Sequence, residues 1–210
     1  MVDRLNTAAR KLPRWAIYVF CLLPVPVLLY QGINGGLGRD PVKALEHELG
    51  EIAIQLLIVG LCVSPLRRFA GVNLLKFRRA FGVLAFVYVG LHLLVWAALD
   101  VQTLERVWAD IVKRPYITVG MASFVLMLPL IFTSNNRAVR WLGPLWSRLH
   151  LLTYPVALQA AVHFIWVRKG FQIEPILYLG VITGLLALRF VGQRRGANAR
   201  RKANSPRITP

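Results

Sequence analysis

Apolar residues run along the chain in six blocks separated by short polar clusters: Trp15 to Ile33, Leu49 to Ser64, Ala80 to Leu99, Tyr116 to Thr133, Leu149 to Val167 and Ile173 to Val191. Each holds 16 to 20 residues, close to the roughly 20 that an α-helix needs to cross the hydrocarbon core of a bilayer. The pattern predicts an all-α integral membrane protein. Its six-helix bundle covers residues 15–191, after an N-terminal segment 1–14 and before a basic tail 192–210 that reads as disordered. The first block should kink at Pro24 and Pro26, the second is short for a crossing, and Pro175 interrupts the start of the sixth. No small-residue cleavage motif follows the first block, so it reads as a retained span rather than a signal peptide.

Composition agrees, with 56% hydrophobic residues and a mean hydropathy of +0.53. A net charge of +17 raises the question of nucleic acid, but the positions of the charges point elsewhere. Nineteen of the 26 Lys and Arg residues fall before the first block, in the second and fourth connections, or from Arg189 onward. The other seven, Arg39, Lys43, Arg106, Lys113, Arg114, Arg168 and Lys169, share their side with eight of the nine acidic residues. By the positive-inside bias both termini are cytoplasmic, consistent with an even number of crossings. The tail from Arg194 to Arg207 would attract anionic lipid headgroups rather than nucleic acid.

Cys21 and Cys62 both fall within apolar blocks, and no CxxC or CxxCH pattern occurs. A disulfide framework, a thiol redox motif and covalently attached c-type haem are all disfavoured. Trp15, Trp96, Trp108, Trp141, Trp146 and Trp166 stand mostly at block ends, where headgroup anchoring is the expected role.

Three of the four histidines, His92, His150 and His163, are intramembrane, where an ionisable side chain needs a partner or a task. With the third and fifth blocks both running outward, His92 and His163 share a depth near the outer face. His150 lies near the inner face. Two neutral imidazoles facing each other from neighbouring helices can supply both axial ligands of a haem iron, which suits electron transfer. His150 would serve a second haem roughly 20 Å further in, stacking two haems across the bilayer.

The 13 residues from His150 to His163 leave the two side chains well over about 100° apart around an ideal helix. A kink or bulge near Tyr154-Pro155 is therefore required. Thirteen residues before His92 stands Arg79, so no histidine on the third block faces His150. Arg78 or Arg79 there would pair with a haem propionate rather than ligate iron. His47, among Glu46, Glu48 and Glu51, reads as a surface or helix-start residue.

Several motifs carry a family resemblance over almost the whole chain. They are Gly35-Gly36-Leu37-Gly38-Arg39-Asp40-Pro41-Val42-Lys43, Ser64-Pro65-Leu66, Arg78-Arg79 with Gly82 and Leu91-His92-Leu93, Arg114-Pro115-Tyr116, Phe132-Thr133-Ser134, and the series Trp146, His150, Tyr154, His163. Together they closely resemble the MsrQ family, formerly YedZ, within the ferric-reductase-like transmembrane group. The resemblance implies b-type haem, one or two per chain, on His92, His150 and His163. It also implies a place in the bacterial inner membrane and delivery of electrons to MsrP, a periplasmic molybdopterin enzyme that reduces methionine sulfoxide in oxidised proteins.

Catalysis would then belong to the partner chain. The implied donors are the quinone pool or a cytosolic flavin reductase, with FMN associated, although no flavin or dinucleotide motif is visible. Only about 20 residues follow Val191, too few for the cytoplasmic flavin and nicotinamide domain of the wider group, so electrons must come from a separate molecule. Two other readings share the pattern: a stand-alone membrane ferric or quinone oxidoreductase, and a transporter whose histidines relay protons.

Overall fold

The computed structural model describes residues 2–168 and 172–203, and every regular element among them is helical. Lys169, counted above with the outer cations, and Arg207 of the tail lie outside the described residues.

Helix α1 (Val2–Lys11) is followed by α2 (Arg14–Leu22) and α3 (Pro24–Ile33), which together form one candidate span, Arg14–Ile33. Pro24 and Pro26 occupy the first turn of α3, where the N–H groups they lack have no intrahelical partner. The helix is interrupted at Leu23, just before the two prolines, but Leu23 keeps helical angles (φ −54°, ψ −35°), so the segment continues through it.

Helix α4 (Pro41–Phe69) is 29 residues long and extends the expected second span at both ends. Asp40 caps it by accepting a hydrogen bond from the Lys43 N–H at 3.2 Å, and Pro41 opens it. The apolar block looked short because the outer turns carry Glu46, His47, Glu48 and Glu51. His47 is thus the seventh residue of α4 rather than part of its first turn.

Helix α5 (Arg78–Val95) follows a 3₁₀ turn at Leu75–Phe77 and ends in a π-helical turn, Trp96–Val101. Helix α6 (Leu104–Lys113) is a short amphipathic helix where the sequence suggested only a loop. Then come α7 (Pro115–Phe132), α8 (Asn136–Leu142), α9 (Pro144–Leu149), a 3₁₀ turn at His150–Leu152, and α10 (Thr153–Val167).

The irregularity required between His150 and His163 is that 3₁₀ turn, with Pro155 in the first turn of α10. At about 120° per residue instead of 100°, three residues of 3₁₀ rotate His150 roughly 60° toward the phase of His163. Helix α11 (Ile173–Ala203) does not stop at Val191, where the basic tail was expected to begin. Ala, Arg and Lys dominate Arg194 to Ala203, and these residues favour helix. Residues 192–203, where the sequence reading places a disordered tail, have helical backbone.

Among the described residues, five helical segments are long and apolar enough to cross a membrane: Arg14–Ile33, Pro41–Phe69, Leu75–Val101, Pro115–Phe132 and Pro144–Val167. Their lipid-facing surfaces stay apolar, with Phe20 73%, Ile33 85% and Phe132 75% exposed. In a bilayer such exposure carries no hydrophobic penalty.

Helices α4 and α5 form the centre, with α2 and α3 packed outside them. Helices α7 and α10 pair with each other, and α11 lies against α4 and α10. Leu49, Leu56, Leu57, Leu84 and Val156 fill the main core. Its polar atoms find partners: the buried Tyr88 donates its hydroxyl proton to the Cys21 carbonyl at 2.6 Å, and Ser123 donates to the Val156 carbonyl at 3.1 Å.

Candidate functional site

Two cavities lie one above the other between α4, α5, α7 and α10, and Leu57 belongs to the walls of both. The outer one, about 410 Å³, contains His92 of α5 and His163 of α10. Its walls are mostly apolar, and its mouth carries Lys43, His47, Glu51, Asp100 and Arg114. The inner one, about 710 Å³, contains His150 and five cations, Arg14, Lys76, Arg78, Arg79 and Arg189.

His92 and His163 are held in the same way. The Nδ1 of His92 lies 2.8 Å from the Glu46 carbonyl of α4, and the Nδ1 of His163 lies 2.7 Å from the Tyr116 carbonyl of α7. A carbonyl only accepts, so each Nδ1 carries the proton and donates. In the neutral ring this leaves Nε2 with a free lone pair, the arrangement typical of a metal-ligating histidine.

What allows the contact is a glycine four residues beyond each carbonyl. A Cβ on Gly50 would sit 3.1 Å from the His92 Nδ1, and a Cβ on Gly120 would sit 2.9 Å from both Nδ1 and Cε1 of His163. Each ring therefore rests on the bare backbone of a neighbouring helix. Sequence reasoning missed both glycines. No signal in the sequence marked them, because every residue carries a carbonyl and glycine is common in membrane helices.

The ring centres of His92 and His163 are 6.3 Å apart and their planes are 82° to each other. One metal ion joined to two imidazole nitrogens by bonds of about 2 Å puts the ring centres a little over about 6 Å apart. The pair thus fits a six-coordinate haem iron in spacing, tautomer and surroundings, and the shared depth expected from the sequence is realised. Among the described residues no cluster of three or more His, Cys, Asp or Glu side chains forms an alternative metal centre.

His150 is placed differently. Its Nε2 lies 3.2 Å from the Thr133 hydroxyl, whose own proton goes to the Pro129 carbonyl at 2.6 Å. Its ring lies 4.0 Å from that of Trp146, centre to centre, and no backbone carbonyl holds its Nδ1 among the described contacts. Among the described residues no second imidazole shares its cavity.

Arg79 does line that cavity, but it donates to the Asn136 side chain at 2.7 Å. His47 lies half-buried in the wall of the outer cavity. Two tryptophans depart from the anchoring role. Trp96 is 7% exposed and lines the outer cavity, while Trp146 lines the inner one and donates its indole proton to the Thr133 carbonyl at 2.9 Å.

Residues 18–161 match the family described as ferric reductase like transmembrane component. The chain is 41% identical over 194 residues to the protein-methionine-sulfoxide reductase heme-binding subunit MsrQ of Brucella anthropi, covering 92% of this chain and 87% of that one. The subunits of the same name from Brucella ovis and Brucella canis are each 40% identical over 99% of this chain and 96% of theirs. No solved structure matches. With four apolar helices around two stacked cavities and relatives aligned over nearly its full length, the chain belongs to the ferric-reductase-like transmembrane family and, within it, to the MsrQ group.

Proposed function

We propose that this protein is a b-type cytochrome that carries electrons outward across the bacterial inner membrane to a periplasmic, molybdopterin-containing methionine sulfoxide reductase, MsrP. The observation that carries the reading is the His92/His163 pair, with both Nδ1 atoms tied to backbone carbonyls and ring centres 6.3 Å apart. Haem held there by His92 and His163 would supply one-electron chemistry.

The chain's own residues do the rest. The Glu46 and Tyr116 carbonyls fix the tautomer and orientation of the two imidazoles. Gly50 and Gly120 give the rings room, while Ala53, Ile54, Val89 and Phe124 keep the site dry. Methionine sulfoxide reduction takes place on the partner, which docks at the outer connections, near Gly35 to Glu48, Asp100 to Arg114 and around Arg168 to Glu174.

Electrons arrive from inside, from quinol or a cytosolic flavin reductase, with FMN as an associated carrier, and reach an inner centre beside His150 and Arg79. The apolar stretch of α11 makes the sixth crossing, which leaves both termini cytoplasmic. The test is a dithionite-reduced minus oxidised spectrum of the purified protein with a pyridine haemochrome assay. Sharp b-type bands that vanish in both His92→Ala and His163→Ala support the assignment. Protein that folds with haem available yet takes up none refutes it and favours a proton-relay role.

A further inference from the structure

The inner cavity is walled by five cationic side chains and no carboxylate among the described residues. Three of the five have other work or reach water. Lys76 donates to the Arg10 carbonyl at 2.8 Å, Arg79 donates to Asn136, and Arg14 is exposed. Arg78 and Arg189 are half-buried, and neither makes a hydrogen bond or ion pair among the described residues.

Arg189 lies over the Tyr154 ring at 5.1 Å, and its Nη1 is fully buried without an acceptor. Guanidinium groups remain protonated, and two of them unpaired within a helical bundle are costly unless an anion completes the site. The planar fork of each matches a carboxylate or phosphate with two parallel N–H donors.

We infer that Arg78 of α5 and Arg189 of α11 form a clamp for the acidic groups of a planar redox molecule carrying at least two negative charges, seated beside His150. This rests on the electron-transfer reading and deepens its inner centre. Two sources share the chemistry, the paired propionates of a second haem and the phosphate of a flavin mononucleotide. A neutral quinone does not, so a quinol donor would react elsewhere on the surface. Arg189 had no place in the sequence-based site, where it counted only as one more inner cation.

The experiment alters the ligand before it alters the protein. Full-length protein depleted of cofactor is titrated in detergent with haem, haem dimethyl ester, FMN and riboflavin, with His163→Ala as background to silence the outer site. Binding of haem but not its ester identifies carboxylates as the gripped groups, and binding of FMN but not riboflavin identifies phosphate. In either case Arg78→Gln/Arg189→Gln should weaken uptake about tenfold or more, with Arg189→Lys between.

In the otherwise native protein the same double substitution should leave the His92/His163 haem bands unchanged, which also shows that the variant folds. Equal binding of the charged and uncharged partner of each pair would overturn the clamp. So would wild-type uptake by the double variant, or a cavity found by extraction to hold quinone or phospholipid. Absence of b-type bands from the native protein would instead defeat the electron-transfer reading itself.

Discussion

Gly120→Ala tests the site at the point where sequence, backbone and chemistry meet. The new methyl carbon would lie 2.9 Å from Nδ1 and Cε1 of His163, while ordinary contact begins near 3.4 Å, so the ring must retreat by about half an ångström. A retreat of that size stretches the 2.7 Å bond to the Tyr116 carbonyl. The fold should barely respond, because overpacking costs about 1–3 kcal/mol and the helix gains back about 1 kcal/mol from replacing glycine. The bond that orients a metal ligand matters more locally, and its loss typically weakens metal binding 10–100-fold.

Expected, then, is a variant of near-normal thermal stability whose haem is lost or dissociates 10–100 times faster than in wild type, measured by transfer to apomyoglobin. Gly50→Ala, with its closest contact at 3.1 Å, should show the same effect more weakly. Gly180→Ala, which meets nothing within 4 Å, should show none. Wild-type haem retention in Gly120→Ala would refute the proposed seat for His163.

His92→Ala and His163→Ala should each abolish the same set of reduced-state absorption bands. His150→Ala should leave those bands intact, and their equal loss in all three would refute two separate levels. The 82° angle between the His92 and His163 planes should give the ferric protein a highly anisotropic low-spin electron paramagnetic resonance signal. An ordinary rhombic spectrum would mean that the rings turn parallel on binding iron. Tyr88→Phe removes the donor to the Cys21 carbonyl at a fully buried position and should cost about 1–3 kcal/mol, read as a lower melting temperature with an unchanged haem spectrum.

Hydropathy carried most of the architecture because lipid imposes one rule on every crossing: apolar side chains outside and backbone bonds closed within the helix. It misjudged α4 because Glu46, His47, Glu48 and Glu51 lie on turns near the outer cavity and the membrane surface, where polarity is tolerated. It missed α6, whose ten residues are too few and too polar for a span, although Leu104, Val107, Trp108 and Ile111 recur at helical spacing.

Among the site residues, His92 and His163 were legible because each is an isolated polar group in an apolar block, and depth alone paired them. Gly50, Gly120 and the carbonyls of Glu46 and Tyr116 were not. Glycine is common in membrane helices, and a backbone carbonyl has no signature in the sequence. Trp146 was misread because position at a block end does not distinguish a ring facing lipid from one turned inward against His150.

The two cavities are unlike in a way that bears on the direction of electron flow. The outer one offers two imidazoles and a mouth of mixed charge, while the inner one offers one imidazole and an excess of cations. Cations near a redox centre favour its reduced form, so an inner group without acidic substituents would hold its electron against transfer outward. Acidic groups clamped by Arg78 and Arg189 cancel that field and remove the trap. Leu57 is common to both walls, so the two cavities adjoin, and the relative potentials of groups held in them would govern transfer between them. A clamp that neutralises the inner cavity would therefore serve the proposed outward electron flow as well as binding.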